Sequence, residues 1–231
     1  MDKASIDVVP QRQTESTDVM STIIAGVEVP ETAAVAESTR LIWQTTSPLI
    51  YHHSRRVYLF AQLHARRLGM TPDPELLYLA AIFHDSGLMT PFSDVEQRFE
   101  VDGADHGRKF LFEHGFSSTA AETVWTAIAL HTTPGIPARM GPEIAALHLG
   151  VLTDVVGFAL DELAADQVNE IVDVHPRGDF KTEFLSAYFD GQKNRPETTN
   201  GTVNSDVLEH FMPEWRRTTT VERVLDSAWP S

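Results

Sequence analysis

The run Leu76-Leu77-Tyr78-Leu79-Ala80-Ala81-Ile82-Phe83 ends abruptly in His84-Asp85. A stretch this apolar belongs in an interior, and an unpaired ionisable side chain carried in with it costs several kcal/mol. The chain must therefore fold so that something binds the pair. Further candidates flank it, with His53 upstream and His106, His131 and Asp154 downstream, in the order His…His-Asp…His…His…Asp. Imidazole nitrogens and carboxylate oxygens without a thiolate suit a hydrolytic zinc, iron, manganese or magnesium site.

Composition narrows the class. A chain of 231 residues with 42% hydrophobic content is expected to form one globular domain with a sizeable core. There is no cysteine, which removes disulfides and thiolate–metal sites and fits a reducing compartment. Acidic residues outnumber basic ones 33 to 18, for a formal charge of −15. Such a surface repels phosphate backbones, so no nucleic-acid partner is expected. A small anion drawn to a metal stays compatible with it. The N-terminus lacks the charged-then-apolar order of a signal peptide, and no apolar run approaches the roughly 20 residues that cross a bilayer. The expectation is a cytoplasmic protein with a small-molecule substrate and no membrane partner, with a homodimer as the common default.

Residues 1–28, polar and aperiodic as far as Ile23, read as a flexible N-terminal tail, 29–212 as a helical domain and 213–231 as a C-terminal extension. Helices are expected from Pro30-Glu31 to Trp43, from Ser47-Pro48 to Gly69, and from Asp73-Pro74-Glu75 to His84-Asp85. Leu88 to Val101 reads as an irregular loop over the site. Further helices are expected over about 102–114, from the Ser117-Ser118-Thr119 cap to His131, and from Pro142 through Asp154. Weaker patterns follow at about 164–174, 179–192 and 203–211, with Asn194 to Asn204 as a polar linker. Alternating strand patterns are nearly absent and no repeat is visible. The fold class is all-α, a single-domain helical bundle. His106 lies 22 residues after His84, and His131 lies 25 after His106. Each interval fits one helix plus a turn, so antiparallel neighbours can return the chain to one interior point.

Three blocks carry a resemblance: His53-Ser54-Arg55-Arg56-Val57, Phe83-His84-Asp85-Ser86-Gly87, and Leu152-Thr153-Asp154-Val155-Val156-Gly157. Over about residues 25–212 the chain resembles the HD superfamily of metal-dependent enzymes. Within it, Arg98-Phe99-Glu100-Val101-Asp102-Gly103-Ala104 and Ala129-Leu130-His131-Thr132-Thr133-Pro134-Gly135 resemble the cyanamide hydratase-like group. The resemblance implies an HD-type bundle in which His53, His84, Asp85 and Asp154 bind one metal. It also implies that His106 and His131 can complete a second site with Asp85 bridging. The alternatives are a solvated His106 among Asp102, Asp105 and Lys109, and a His131 that caps a helix C-terminus. His148 reads as a hydrogen-bonded core residue.

Catalytic roles fall to Asp85 and His131, and substrate contacts to Arg56, Glu100 and Thr132. Arg55 or Arg56 can pair with an anionic substrate or form a surface salt bridge. Glu100 or Asp102 can orient a ligand imidazole or move a proton, against the alternative of a solvated turn, favoured for Asp102. Phe92 and Phe99 can close a small apolar pocket or simply pack. The expected cofactor is a divalent ion, one or two per chain, zinc first and iron or manganese as alternatives, because imidazole suits all of them. A metal with an open position lowers the pKa of bound water toward about 7. The resulting hydroxide can hydrate a nitrile-type carbon, as the cyanamide hydratase resemblance implies. Phosphomonoester or nucleotide hydrolysis is the main alternative, weakened by Leu88 where many two-metal relatives carry lysine and by the lack of a glycine-rich phosphate loop. Oxygenation at a di-iron centre is a third reading. A metal-free scaffold domain is a fourth, opposed by the intact His53, His84, Asp85 and Asp154.

Overall fold

A computed structural model describes residues 22–89 and 91–230. The expected tail before residue 22 lies outside the described residues. Residues 23–28, assigned from the sequence to that tail, instead form a small hairpin, β1 (Ile23–Ile24) and β2 (Val27–Glu28), antiparallel with Ile23 opposite Glu28. Ala25 and Gly26 both take positive φ, the requirement of the tight turn that matches strand twist. Val27 is fully buried in the main core.

The remainder is helical: α1 (Ala33–Thr45), α2 (Pro48–Leu68), α3 (Pro74–Phe83), α4 (Phe99–Glu113), α5 (Ser118–Leu130), α6 (Pro142–Val156), α7 (Ala165–Val174), α8 (Phe180–Asp190), α9 (Ser205–Phe211) and α10 (Thr220–Leu225). The caps explain the boundaries. Ser47 accepts from the Ile50 amide ahead of Pro48, Asp73 from the Glu75 and Leu76 amides ahead of Pro74, and Ser117 from Ala120. Gly69 ends α2 in the left-handed region. Among the described residues no helix is long and apolar enough to cross a membrane.

Helix α3 is apolar on every side, and Leu77 to Phe83 are all buried, the signature of a central helix. It packs against α1, α2, α5 and α6. Helices α2 and α6 cross at Gly150, where a Cβ would stand 2.3 Å from the Val57 carbonyl oxygen. That close approach lets His53 on α2 face Asp154 on α6. A second close approach brings the start of α4 against the turn after Asp85: a Cβ on Gly87 would stand 2.0 Å from the Phe99 carbonyl oxygen.

Two sequence expectations are corrected here. The loop after Leu88 is shorter than predicted, because α4 begins at Phe99 and includes Glu100 and Asp102 in its first turn. The tract 194–204 is no linker: Arg195, Thr199 and Asn204 are buried, and Pro196–Thr199 forms a 3-10 turn. Polar residues there are satisfied by partners that only the tertiary fold supplies. A second apolar cluster, separate from the main core, gathers Ile50, Leu88, Phe99, Phe180, Phe184 and Tyr188.

Candidate metal centre

His53 lies in the second turn of α2, His84 and Asp85 just past the end of α3, and His131 just past the end of α5. All four residues are buried, none more than 1% exposed. Their hydrogen bonds fix the tautomers. His53 Nδ1 donates to Asp154 Oδ2 (2.6 Å), His84 Nδ1 to the Ala81 carbonyl (2.7 Å) and His131 Nδ1 to the Ile128 carbonyl (2.6 Å). A ring in its neutral form therefore presents its Nε2 lone pair toward Asp85. Burial lowers the His84 imidazole, but the Asp85 charge and hydrogen bond and the Ala81 carbonyl outweigh it and raise its pKa. His53 Nε2 and His84 Nε2 stand 3.1 Å apart and 3.4 and 3.3 Å from Asp85 Oδ2, while His131 Nε2 is 3.5 Å from Asp85 Oδ1.

Lone pairs gathered this closely repel one another unless a cation or a proton sits among them. Asp85 Oδ2 and His131 Nε2 have no hydrogen-bond partner, an expensive condition for buried polar atoms. His53, His84 and Asp85 each offer one ligand atom within 4.8 Å of the others. The donor set of two imidazoles and a carboxylate fits a divalent metal of the zinc, iron or manganese type. Burial alone would raise the Asp85 carboxyl, but the attraction of a protonated His84, with His131 and His53 close by, outweighs it and holds the group well below the usual carboxylate range.

Asp154 reaches the centre through His53. Arg56 grips it with Nε on Oδ1 (2.8 Å) and Nη2 on Oδ2 (2.9 Å), and Arg177 adds a further donor to Oδ1. Burial raises this carboxyl, and the hydrogen bonds and charges of His53 and Arg56 outweigh that and hold it far below its ordinary value. Asp154 thus stands where a carboxylate orients a ligand imidazole. Of the four residues expected to bind a metal, His53, His84 and Asp85 bring their donor atoms together, and Asp154 contacts the group through His53.

The predicted substrate contacts are placed differently. Arg56 is fully buried, and its remaining nitrogen donates to the carbonyls of His175 and Pro176, so the guanidinium is committed to the protein. Arg55 bonds the Tyr78 hydroxyl on the far side of α2. Glu100 orients no imidazole. Its carboxylate accepts from Arg98, Thr132 and Asn204, contacts that outweigh burial and lower its pKa, while its charge interacts with His131. Asp102, expected in a solvated turn, is buried in an ion pair with Arg195.

His106 does not join the cluster. It stacks on Phe92 with centroids 3.5 Å apart, meets Phe83 edge-on and shares a hydrogen bond with Ser86 (3.2 Å). Burial pushes its imidazole down to about 4. His148 is a hydrogen-bonded core residue whose Nδ1 donates to the His131 carbonyl.

The HD domain family model matches residues 50–174, more than half of the chain, and that span includes His53, His84, Asp85, His131 and Asp154. The chain belongs to the HD domain family. HD-domain proteins are in general metal-dependent hydrolases, and the buried His-His-Asp cluster here is a place for such a metal. Comparison with curated proteins finds no match.

Sequence reasoning missed the roof of this HD-domain centre. Phe180 and Phe184 of α8 lie 5.4 and 5.1 Å from the His53 ring, and Tyr188 packs on Phe99, which in turn meets His131. The spacing of these three at i, i+4 and i+8 was visible, but it reads equally as ordinary core. The Tyr188 hydroxyl donates to Asn204 Oδ1 (2.9 Å), and Asn204 passes the contact on to Glu100 (2.9 Å). Burial, with Glu100 and Asp85 adding to it, raises the Tyr188 phenol well above its ordinary value, so it stays protonated.

Proposed function

We propose that this HD-domain protein is a metal-dependent hydratase that adds water across a small, uncharged nitrile-type bond, as in the cyanamide hydratase-like group. The observation that carries the reading is the environment of the unpartnered Asp85 Oδ2 and His131 Nε2. Around the centre lie the apolar side chains Ile50, Leu88, Phe99, Phe180 and Phe184. The neighbouring guanidiniums are engaged elsewhere, Arg56 and Arg177 on Asp154 and Arg98 on Glu100. Leu88, in the position where a lysine would favour phosphate, is buried in the apolar cluster. A phosphate dianion would enter against this lining, whereas a nitrile is small and neutral.

His53, His84 and Asp85 would hold a divalent ion, with Asp154 fixing the His53 ring. Such an ion supplies Lewis acidity that makes water nucleophilic near neutral pH. His131 Nε2 carries a free lone pair and can take the proton that water releases. Its Nε2 lies 3.5 Å from Asp85 Oδ1, within reach of the same water. The same proton then passes to the substrate nitrogen. Water and R–C≡N give R–C(=O)–NH2, and cyanamide gives urea. A pocket of about 540 Å3 is lined in part by Arg98 and Thr132, whose side chains bond Glu100.

The test is an assay of the metal-loaded protein for urea or amide release from cyanamide and simple nitriles, beside para-nitrophenyl phosphate. Hydration with no ester cleavage is the expected result. Ester cleavage by a preparation that leaves every nitrile intact overturns the reading in favour of a phosphohydrolase.

A further inference from the structure

We propose that Arg195 is a positioning residue of the metal centre, locking the turn that carries His84 and Asp85 to the helix that covers them. The inference rests on the metal-binding reading of His53, His84 and Asp85, and not on the choice of substrate. Arg195 is 4% exposed and uses all three of its nitrogens. Nη2 donates to the Gly87 carbonyl at 2.6 Å, two residues beyond Asp85. Nη1 donates to the carbonyls of Asp94 (2.7 Å) and Gln97 (3.1 Å) and to the Asp102 carboxylate. Nε donates to the Gly191 carbonyl (3.0 Å) at the end of α8.

One guanidinium therefore joins four segments: the turn after the His-Asp pair, the loop before α4, the first turn of α4 and the C-terminus of α8. The turn itself is short, with the Leu88 amide donating to the Asp85 carbonyl (3.1 Å). It has no regular helix beyond it to hold its direction. The Gly87 carbonyl is its outward handle, and Arg195 holds it. Only a planar fork reaches acceptors on so many sides at once, and a lysine ammonium in its place serves fewer of them. Asp102 supplies the countercharge that makes a buried guanidinium tenable. It is itself fixed by the Asp94 amide (2.9 Å) and the Gln97 side chain (3.1 Å). Loosening this clamp lets Asp85 drift relative to His53 and His84, and partners of this supporting kind typically change metal affinity 10- to 100-fold.

The experiment uses the full chain and Zn2+ alone, titrated in competition with a chromophoric chelator, with circular dichroism confirming the fold of each variant. Arg195→Lys is expected to bind Zn2+ about 10- to 100-fold more weakly than the wild type. Arg195→Ala is expected to lose more and to regain affinity when millimolar guanidinium is added. Val124→Ala, a core truncation on α5, serves as the control for general destabilisation and is expected to keep wild-type affinity. Equal affinity in Arg195→Lys and wild type overturns the inference while leaving the metal centre standing. An equal loss in Val124→Ala overturns it also, since the effect is then one of stability. A wild-type protein that takes up no Zn2+ overturns the metal-centre reading and this inference with it.

Discussion

Asp85 brings a negative charge into an interior where three Nε2 lone pairs face it. That frustration is relieved by a cation, or by a proton held on His84. An amide in the same place can donate hydrogen to the imidazoles, so Asp85→Asn is expected to abolish metal uptake while the metal-free fold keeps or gains stability. Elemental analysis and thermal melting check both halves, and retention of metal together with activity would remove Asp85 from the centre. His106 shows the opposite case, an imidazole kept neutral by packing. Its folded pKa of about 4 lies below the ordinary 6.5. The unfolded chain therefore takes up a proton first, and stability present above pH 6.5 falls as pH drops toward 4. The loss from this group is on the order of 2 kcal/mol after allowance for its partial exposure. His106→Leu should flatten that part of the stability profile, measured by denaturant unfolding at pH 7 and pH 4.5. From sequence alone His53, His84, Asp85 and His131 were legible because ionisable groups interrupt apolar helix faces. Arg56 as a structural clamp was not, since its acceptors, Asp154 and the carbonyls of His175 and Pro176, lie about a hundred residues away.

Helices α2, α3 and α5 could be bounded from their caps because Ser47, Asp73 and Ser117 act locally, within four residues. The role of α8 could not be read that way. Its face of Phe180, Phe184 and Tyr188 packs on side chains from α2, α4 and the turn after α3, and no local signal distinguishes such a roof from the main core. Phe184→Ala is expected to destabilise the fold by about 2–4 kcal/mol and to speed release of bound metal, followed with a chelator trap. An unchanged release rate would show that α8 does not cover the centre. The crossing of α2 and α6 carries a sharper constraint. A methyl group at Gly150 would collide with the Val57 carbonyl oxygen, so Gly150→Ala is expected to cost about 1–3 kcal/mol or more and to pull His53 away from Asp154. A melting temperature within 1–2 °C of wild type, a change of no more than about 0.5 kcal/mol, would show that the helices can separate freely there.

At the scale of the whole molecule, an ion bound only by the folded chain stabilises it by mass action. Free metal at 100 times its dissociation constant adds about 2.7 kcal/mol, or roughly 5–10 °C for a domain of this size. Chelation should remove that increment, and a calorimetric scan before and after chelator measures it. None of His53, His84, Asp85 and His131 is more than 1% exposed, so an ion held among them would leave through a local opening of the covering residues. Openings of that kind are governed by the stability of the covering element and not by the strength of the coordinate bonds. Solution affinities for divalent metals follow a fixed order across most nitrogen and oxygen sites, but an ion sealed in during folding escapes that competition. A metal held there would then be a record of the supply met as the last helix closed, and two preparations folded in different media would differ in content without differing in sequence.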